Sequence, residues 1–285
     1  MNEHEWIMTT LKGCDRLNLY LDPQPLNEVQ EKLRADIYRR RQDGEPLQYI
    51  LKRADFFDLA LYVDRRVFIP RPETEILVDA ALQVAYREPG PWDLILECGT
   101  GSGNIAISLA RMLKKSRITA LDVSRDALDV AALNARKYAV MDRISFVPQA
   151  WGDFIKSAFR AGQKFDMIIS NPPYIPTDQI SDLPADVRHE PIQALDGGAD
   201  GLNLIRLIIG GAAEILRGHG LLAVEIGDGQ HHRVKGLLER SGAFENITLI
   251  EDYRRILRVV IARHRPIPST IQPGTHNGKT HYSRK

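Results

Sequence analysis

Leu94-Ile95-Leu96-Glu97-Cys98-Gly99-Thr100-Gly101-Ser102-Gly103 decides how this chain is read. Residues 94–97 have the length and composition of a buried strand, and 104–113 carry helical spacing. Between them, glycine stands at every second position. Glycines let the backbone turn tightly and come close to a bound molecule. Gly101-x-Gly103-x-x-Ala106 also satisfies the loose dinucleotide fingerprint. A second feature is Asp122, which ends the next strand at 117–121, roughly twenty residues past the loop. A carboxylate there accepts hydrogen bonds from both hydroxyls of a ribose. Ser124 is placed to cap the following helix, which leaves Asp122 for a ligand. Loop and carboxylate together predict an adenosine-containing cofactor, with Gly99, Thr100, Gly101 and Gly103 as its loop contacts. A dinucleotide needs its pyrophosphate on the helix N-terminus. S-adenosylmethionine instead brings an ammonium group, for which Glu97 is the candidate acid. This favours S-adenosylmethionine and leaves the nicotinamide reading open. Ala150-Trp151, or Asp153, is expected to border the adenine.

Further along, Phe165-Asp166-Met167-Ile168-Ile169-Ser170 reads as another buried strand, followed by Asn171-Pro172-Pro173-Tyr174. Two prolines cannot continue a sheet ladder, because they lack the N–H. Asn171 therefore sits at the carboxyl end of its strand, where open α/β sheets place ligands. Its side chain offers a carbonyl acceptor, and the Pro172 C=O is a second. Two adjacent acceptors hold a planar –NH2 group, and the Tyr174 ring can pack on its plane. A strand-terminating turn with a packed tyrosine is the plain alternative. The long segment 175–201, with Glu190, Asp196 and Asp200, is expected to lie over the site.

Outward from these stretches, strands at 144–147, 166–170 and 220–226 alternate with helices at 125–138, 202–216 and 231–240. An antiparallel pair is expected at 247–250 and 256–263. Such alternation implies a mostly parallel sheet covered on both faces. Residues 3–43 show helical spacing, broken into two helices at Asp22-Pro23. Residues 56–63 and 67–70 read as a hairpin across the polar turn 64–66. Arg71-Pro72-Glu73-Thr74-Glu75 opens a helix to Arg87; Arg71 and Glu75 are candidates for either capping or ligand contact. The expected division is 1–45 helical, 46–72 hairpin linker, 73–264 catalytic domain and 265–285 disordered tail. A chain of 285 residues, 44% hydrophobic, suits a globular protein, and a net charge of +1 gives no case for a nucleic-acid partner. Cys14 and Cys98 form neither metal spacing nor a disulfide framework, which fits a reducing cytosol. No apolar stretch is long enough to span a bilayer.

With these residues in view, the chain resembles the protein-(glutamine-N5) methyltransferases that modify peptide chain release factors. The resemblance rests on Gly44–Ile50, on Ile69-Pro70-Arg71-Pro72-Glu73-Thr74-Glu75, and on the loop Gly99–Gly103. It extends through Asn171–Tyr174, Glu190-Pro191, Gly197-Gly198-x-Asp200-Gly201-Leu202 and Glu225-Ile226-Gly227. It implies a seven-stranded Rossmann-like class I S-adenosylmethionine-dependent methyltransferase domain behind a small N-terminal helical domain, joined by a β-hairpin. It implies a substrate, the glutamine of the Gly-Gly-Gln motif in class I release factors. It also implies that Asn171, Pro172, Pro173 and Tyr174 hold that glutamine, with Arg71, Thr74 and Glu75 lining the site. A monomeric, cytoplasmic enzyme without direct nucleic-acid or membrane contact is expected. Methylation of another glutamine or of adenine N6 (on a ribosomal protein or DNA), or an inactive binding module, are the competing readings. The chain departs from the family pattern at Arg255, where glycine is expected, and in a shorter N-terminal stretch.

Overall fold

A computed structural model describes residues 2–21, 23–88 and 90–266, so all but the first two residues of the tail expected at 265–285 lie outside the described residues, and Arg265 N donates to Ala243 O at 2.8 Å. The first strand of the main sheet is β3, Leu94–Cys98. It lies parallel to β4 (Arg117–Asp122) on one side and to β6 (Phe165–Ser170) on the other. β5 (Ile144–Pro148) extends the sheet beyond β4, and β7 (Leu216–Glu225) extends it beyond β6. β9 (Leu257–His264) inserts antiparallel between β7 and the edge strand β8 (Phe244–Glu251). The order is β5-β4-β3-β6-β7-β9-β8. The chain steps outward in opposite directions from β3 and β6, so a crevice opens where their carboxyl ends diverge.

Side-chain alternation along the strands separates two cores. Ile95, Ile118, Met167, Ile169, Leu221 and Val259 face helices α5 (Pro72–Arg87) and α6 (Asn104–Met112). Leu96, Leu121, Ile168, Leu222 and Val260 face α8 (Trp151–Arg160), α9 (Asn203–Ile215) and α10 (His231–Ser241). β6 is buried at all six positions, which explains its unbroken apolar reading. α7 (Arg125–Lys137) begins at the Ser124 cap, whose side chain accepts from Ala127 N.

Three elements differ from the sequence expectation. The N-terminal region holds three helices, α1 (Glu3–Lys12), α2 (Arg16–Leu21) and α3 (Glu28–Gln42), because left-handed Gly13 ends the first. A short helix α4 (Leu47–Leu51) adds Leu47 and Ile50 to a small core with Ile7 and Ile37. The hairpin is earlier and shorter than expected: β1 (Ala54–Phe56) pairs with β2 (Leu59–Leu61), turning at Phe57-Asp58 rather than at 64–66. The turn at 64–66 does form, closed by Val67 N donating to Asp64 O at 3.1 Å, but the segments on either side of it bond to distant side chains instead of pairing as strands. Asn134 Oδ1 accepts from Tyr62 N at 2.7 Å, Tyr49 Oη donates to Val67 O, and Glu190 Oε2 accepts from Ile69 N. α8 was not anticipated, although Trp151, Phe154, Ile155 and Ala158 have helical spacing and all face the second core.

Candidate active site

The crevice is a cavity of about 320 Å³, within the size range of small-molecule sites. Its walls come from Gly99–Ser102, from Asp122–Ser124, from Gln149–Gly152 and from Asn171–Ile175. Arg66, Val67 and Phe68 of the linker, and Pro191, Ala194 and Leu195 of the long segment after β6, also contribute.

The glycine loop is shaped by three left-handed residues, Gly99 (φ 77°), Gly101 (φ 53°) and Gly103 (φ 84°). Gly99 and Thr100 N–H both donate to Leu121 O at 2.9 Å, which ties the loop to β4. Asp122 Oδ2 accepts from Gly101 N at 3.0 Å and Oδ1 from Ser124 N at 2.9 Å. Each oxygen keeps a lone pair for a ligand hydroxyl. Burial raises the Asp122 pKa, and those backbone N–H groups counter the rise.

Not every expected loop residue reaches the cavity. Gly103 does not line it: a Cβ there would lie 3.0 Å from Ile107 Cδ1 and 3.2 Å from Ala131 Cβ, so this glycine lets α6 approach α7. Glu97 is 0% exposed behind the loop and is absent from the wall. Its Oε2 accepts from Thr100 Oγ1 at 2.7 Å, and its Oε1 has no hydrogen-bond partner among the described residues. Burial pushes its pKa up to about 8, and the nearby Asp122 charge adds to the rise. Glu97 thus braces the loop from behind, and the Asp122 carboxylate, which does line the cavity, fits the ribose of an adenosine-containing ligand. The residues present therefore suit S-adenosylmethionine. Trp151 is nearly buried, borders the cavity, and donates its indole N–H to Leu207 O at 2.8 Å.

At the other end, Asn171 Nδ2 donates to Thr74 Oγ1 at 2.9 Å. That leaves the Asn171 Oδ1 free to accept, and Asn171, Pro172, Pro173 and Tyr174 all line the cavity. Thr74 Oγ1 donates to Glu225 Oε2 at 2.7 Å, and Tyr174 Oη reaches Glu225 Oε1 at 3.3 Å. Burial pushes the Glu225 pKa up to about 7. Gly197 and Gly201 pack on the Tyr174 backbone so closely that a Cβ would lie 2.8 Å from Tyr174 Cα and 2.3 Å from Tyr174 O.

Arg71 and Glu75, expected among the substrate contacts, are not on the wall. Arg71 pairs with buried Glu190 and lies 4.9 Å from the Phe68 ring. Glu75 Oε1 accepts from Phe57 N at 2.6 Å and so holds the hairpin turn. Asp196 accepts from Thr177 and Gly198, and Asp200 pairs with Arg206 and Arg233. Among the described residues, Asp122 is the one carboxylate lining the cavity, and no histidine or lysine does so.

Comparison with known proteins agrees with this geometry. Residues 93–224 match a family described as a methyltransferase domain, and residues 2–51 match a PrmC N-terminal domain. The release factor glutamine methyltransferase of Gloeobacter violaceus is 40% identical over 261 residues, covering 91% of this chain and 89% of that protein. The enzyme of the same description from Moorella thermoacetica is 45% identical over 226 residues, covering 79% and 77%. Among solved structures, the hMettl16 catalytic domain in complex with the MAT2A 3'UTR hairpin 1 superposes with a TM-score of 0.56 at 18% identity, covering 80% of this chain and 81% of that one, a likeness of fold. Fold and site together define a Rossmann-like S-adenosylmethionine-dependent methyltransferase. The chain belongs to the release factor glutamine methyltransferase family.

Proposed function

We propose that this enzyme methylates N5 of the glutamine in the Gly-Gly-Gln motif of class I peptide chain release factors. The observation that supports the reading is that Asn171 and Pro172 line the same cavity as Asp122 and the glycine loop, with the Asn171 Nδ2 bonded to Thr74; Asn171 Oδ1 and the Pro172 C=O are the acceptor pair in this reading. An amide nitrogen is a poor nucleophile because its lone pair is delocalised into the carbonyl. Bound S-adenosylmethionine supplies an electrophilic methyl group on a sulfonium. The two acceptors take the two N–H groups of the glutamine amide and aim its nitrogen along one line. Orientation of this kind supplies at best roughly 7–11 kcal/mol of the barrier. The same acceptors stabilise positive charge developing on nitrogen, and one N–H proton leaves to solvent after transfer. With no histidine or lysine on the wall, positioning rather than general base catalysis does the work.

In this reading Gly99, Thr100, Gly101, Asp122 and Trp151 border the cofactor, and Glu97 and Gly103 support the loop from behind. Residues 1–45 dock the release factor. The enzyme acts as a cytoplasmic monomer on protein, without direct nucleic-acid contact. Its net charge of +1 supports that, and among the described residues no helix is long and apolar enough to cross a membrane.

The test is methyl transfer from labelled S-adenosylmethionine to purified class I release factor and to its Gln→Ala variant at the Gly-Gly-Gln motif. Label on the first and none on the second is expected. Equal label on both would overturn the target. Asn171→Ala is expected to lower turnover about 100-fold or more while cofactor affinity stays within about 2-fold.

A further inference from the structure

The wall that meets the substrate amide is backed by a chain of hydrogen bonds with a fixed direction. Asn171 follows β6, Thr74 lies in the first turn of α5, and Glu225 ends β7. Thr74 and Glu225 are each 1% exposed, and neither lines the cavity. The links are Asn171 Nδ2 to Thr74 Oγ1, 2.9 Å, and Thr74 Oγ1 to Glu225 Oε2, 2.7 Å. Tyr174 Oη closes on the other carboxylate oxygen.

An ionised carboxylate only accepts. Thr74 must then spend its single proton on Glu225 and can only accept from Asn171. Asn171 is thereby compelled to turn its –NH2 toward Thr74 and its carbonyl toward the cavity. A proton placed on Oε1 would turn the Tyr174 hydroxyl from donor to acceptor and would still leave Oε2 an acceptor, so the direction is kept. We propose that Glu225, through Thr74, is a positioning residue that fixes the amide orientation of Asn171 and so makes the site an acceptor of N–H groups. The inference rests on the methyl-transfer reading above and explains what that reading takes as given. A primary amide is nearly symmetric in shape, so packing alone would hold Asn171 in either orientation. The flipped form would present –NH2 to the substrate –NH2, a donor facing a donor.

Glu225→Gln replaces the terminal acceptor by a group that also donates, which lets the chain reverse. Thr74→Val removes the link at similar shape, and Thr74→Ser keeps the hydroxyl. On purified release factor, Glu225→Gln and Thr74→Val are expected to lower kcat about 10–100-fold, with cofactor Kd unchanged within about 2-fold. Thr74→Ser is expected to restore turnover close to the parent. The double variant should fall no further than the worse single one, because both cut one chain. Cofactor-free protein gives a second readout independent of activity. The Asn171 side-chain –NH2 pair, identified by its loss in Asn171→Asp, should shift in the NMR spectra of both Glu225→Gln and Thr74→Val. Undiminished kcat in both variants, or unmoved Asn171 –NH2 resonances, overturns the relay. Loss of cofactor affinity along with kcat, with additive effects in the double variant, overturns it in favour of a scaffold role. Failure of the parent enzyme to label release factor would instead count against the substrate reading, while the resonances still decide the relay.

Discussion

Arg255 holds a left-handed backbone, φ 62°, in the turn between β8 and β9. Asp252 organises that turn by accepting from Arg254 N and Ile256 N and by pairing with Arg258. The family pattern has glycine at this position, and the backbone shows why: a residue with a Cβ is strained there. Arg255→Gly is expected to raise stability by about 1 kcal/mol, the relief of left-handed strain less the added freedom of the unfolded chain. Urea denaturation with an unchanged m-value would report it. Arg71 and Glu75 carry a different lesson at the same scale. Their motif made ligand contact and capping equally good readings, and the structure gives both to the scaffold. Arg71 anchors Glu190, next to cavity-lining Pro191, and Glu75 holds the hairpin turn.

The elements that build the site meet through close contacts rather than through charge. α6 starts at Gly103 and lies against α7 at Ala131, with room for no further carbon. Gly103→Ala combines a left-handed φ of 84° with a contact 3.3 Å from the Ala131 backbone. We expect a loss of about 2–4 kcal/mol. Thermal unfolding checks this, and weaker cofactor affinity should accompany it, since the loop before α6 shapes the cavity. The segment after β6 is fixed in the same manner. Gly197 N donates to Ile175 O, Ile175 N donates to Leu195 O, and Gly201 sits against the Tyr174 carbonyl. That segment brings Ala194 and Leu195 to the cavity wall as part of the fold.

Across the whole molecule, the site concentrates carboxyl groups whose pKa values burial raises: Glu97 to about 8, Glu225 to about 7, and Asp122 and Glu190 in the same direction. A carboxyl with a higher pKa folded than unfolded binds more protons in the native state between the two values. Its contribution to stability is therefore present at low pH and is lost as pH rises from about 4.5 toward the folded value. Cofactor-free enzyme should lose stability between pH 5.5 and 8, Glu97 contributing at most about 3 kcal/mol over that window. Glu97→Gln should flatten that fall when unfolding free energies are compared at the two pH values; an identical slope would refute it. The strand–glycine loop–helix at 94–113, Asp122 and Asn171–Tyr174 were legible from the sequence, because periodicity and backbone-restricting residues act over a few neighbours. The parallel sheet followed from alternation for the same reason. The hairpin lies earlier than expected because the segments flanking the 64–66 turn bond at Tyr62, Val67 and Ile69 to the side chains of Asn134, Tyr49 and Glu190, which are distant in sequence. α8 was legible in principle from its apolar spacing. By itself, then, the sequence determined the type and order of most elements and which residues stand at the strand ends beside the cavity. Only the tertiary structure decided that Glu97 and Gly103 stand behind the loop, that Arg71 and Glu75 turn to the scaffold, and that Thr74 and Glu225 stand behind Asn171. Hydrogen bonds and burial between residues as far apart as 74 and 225 depend on packing that no local pattern records.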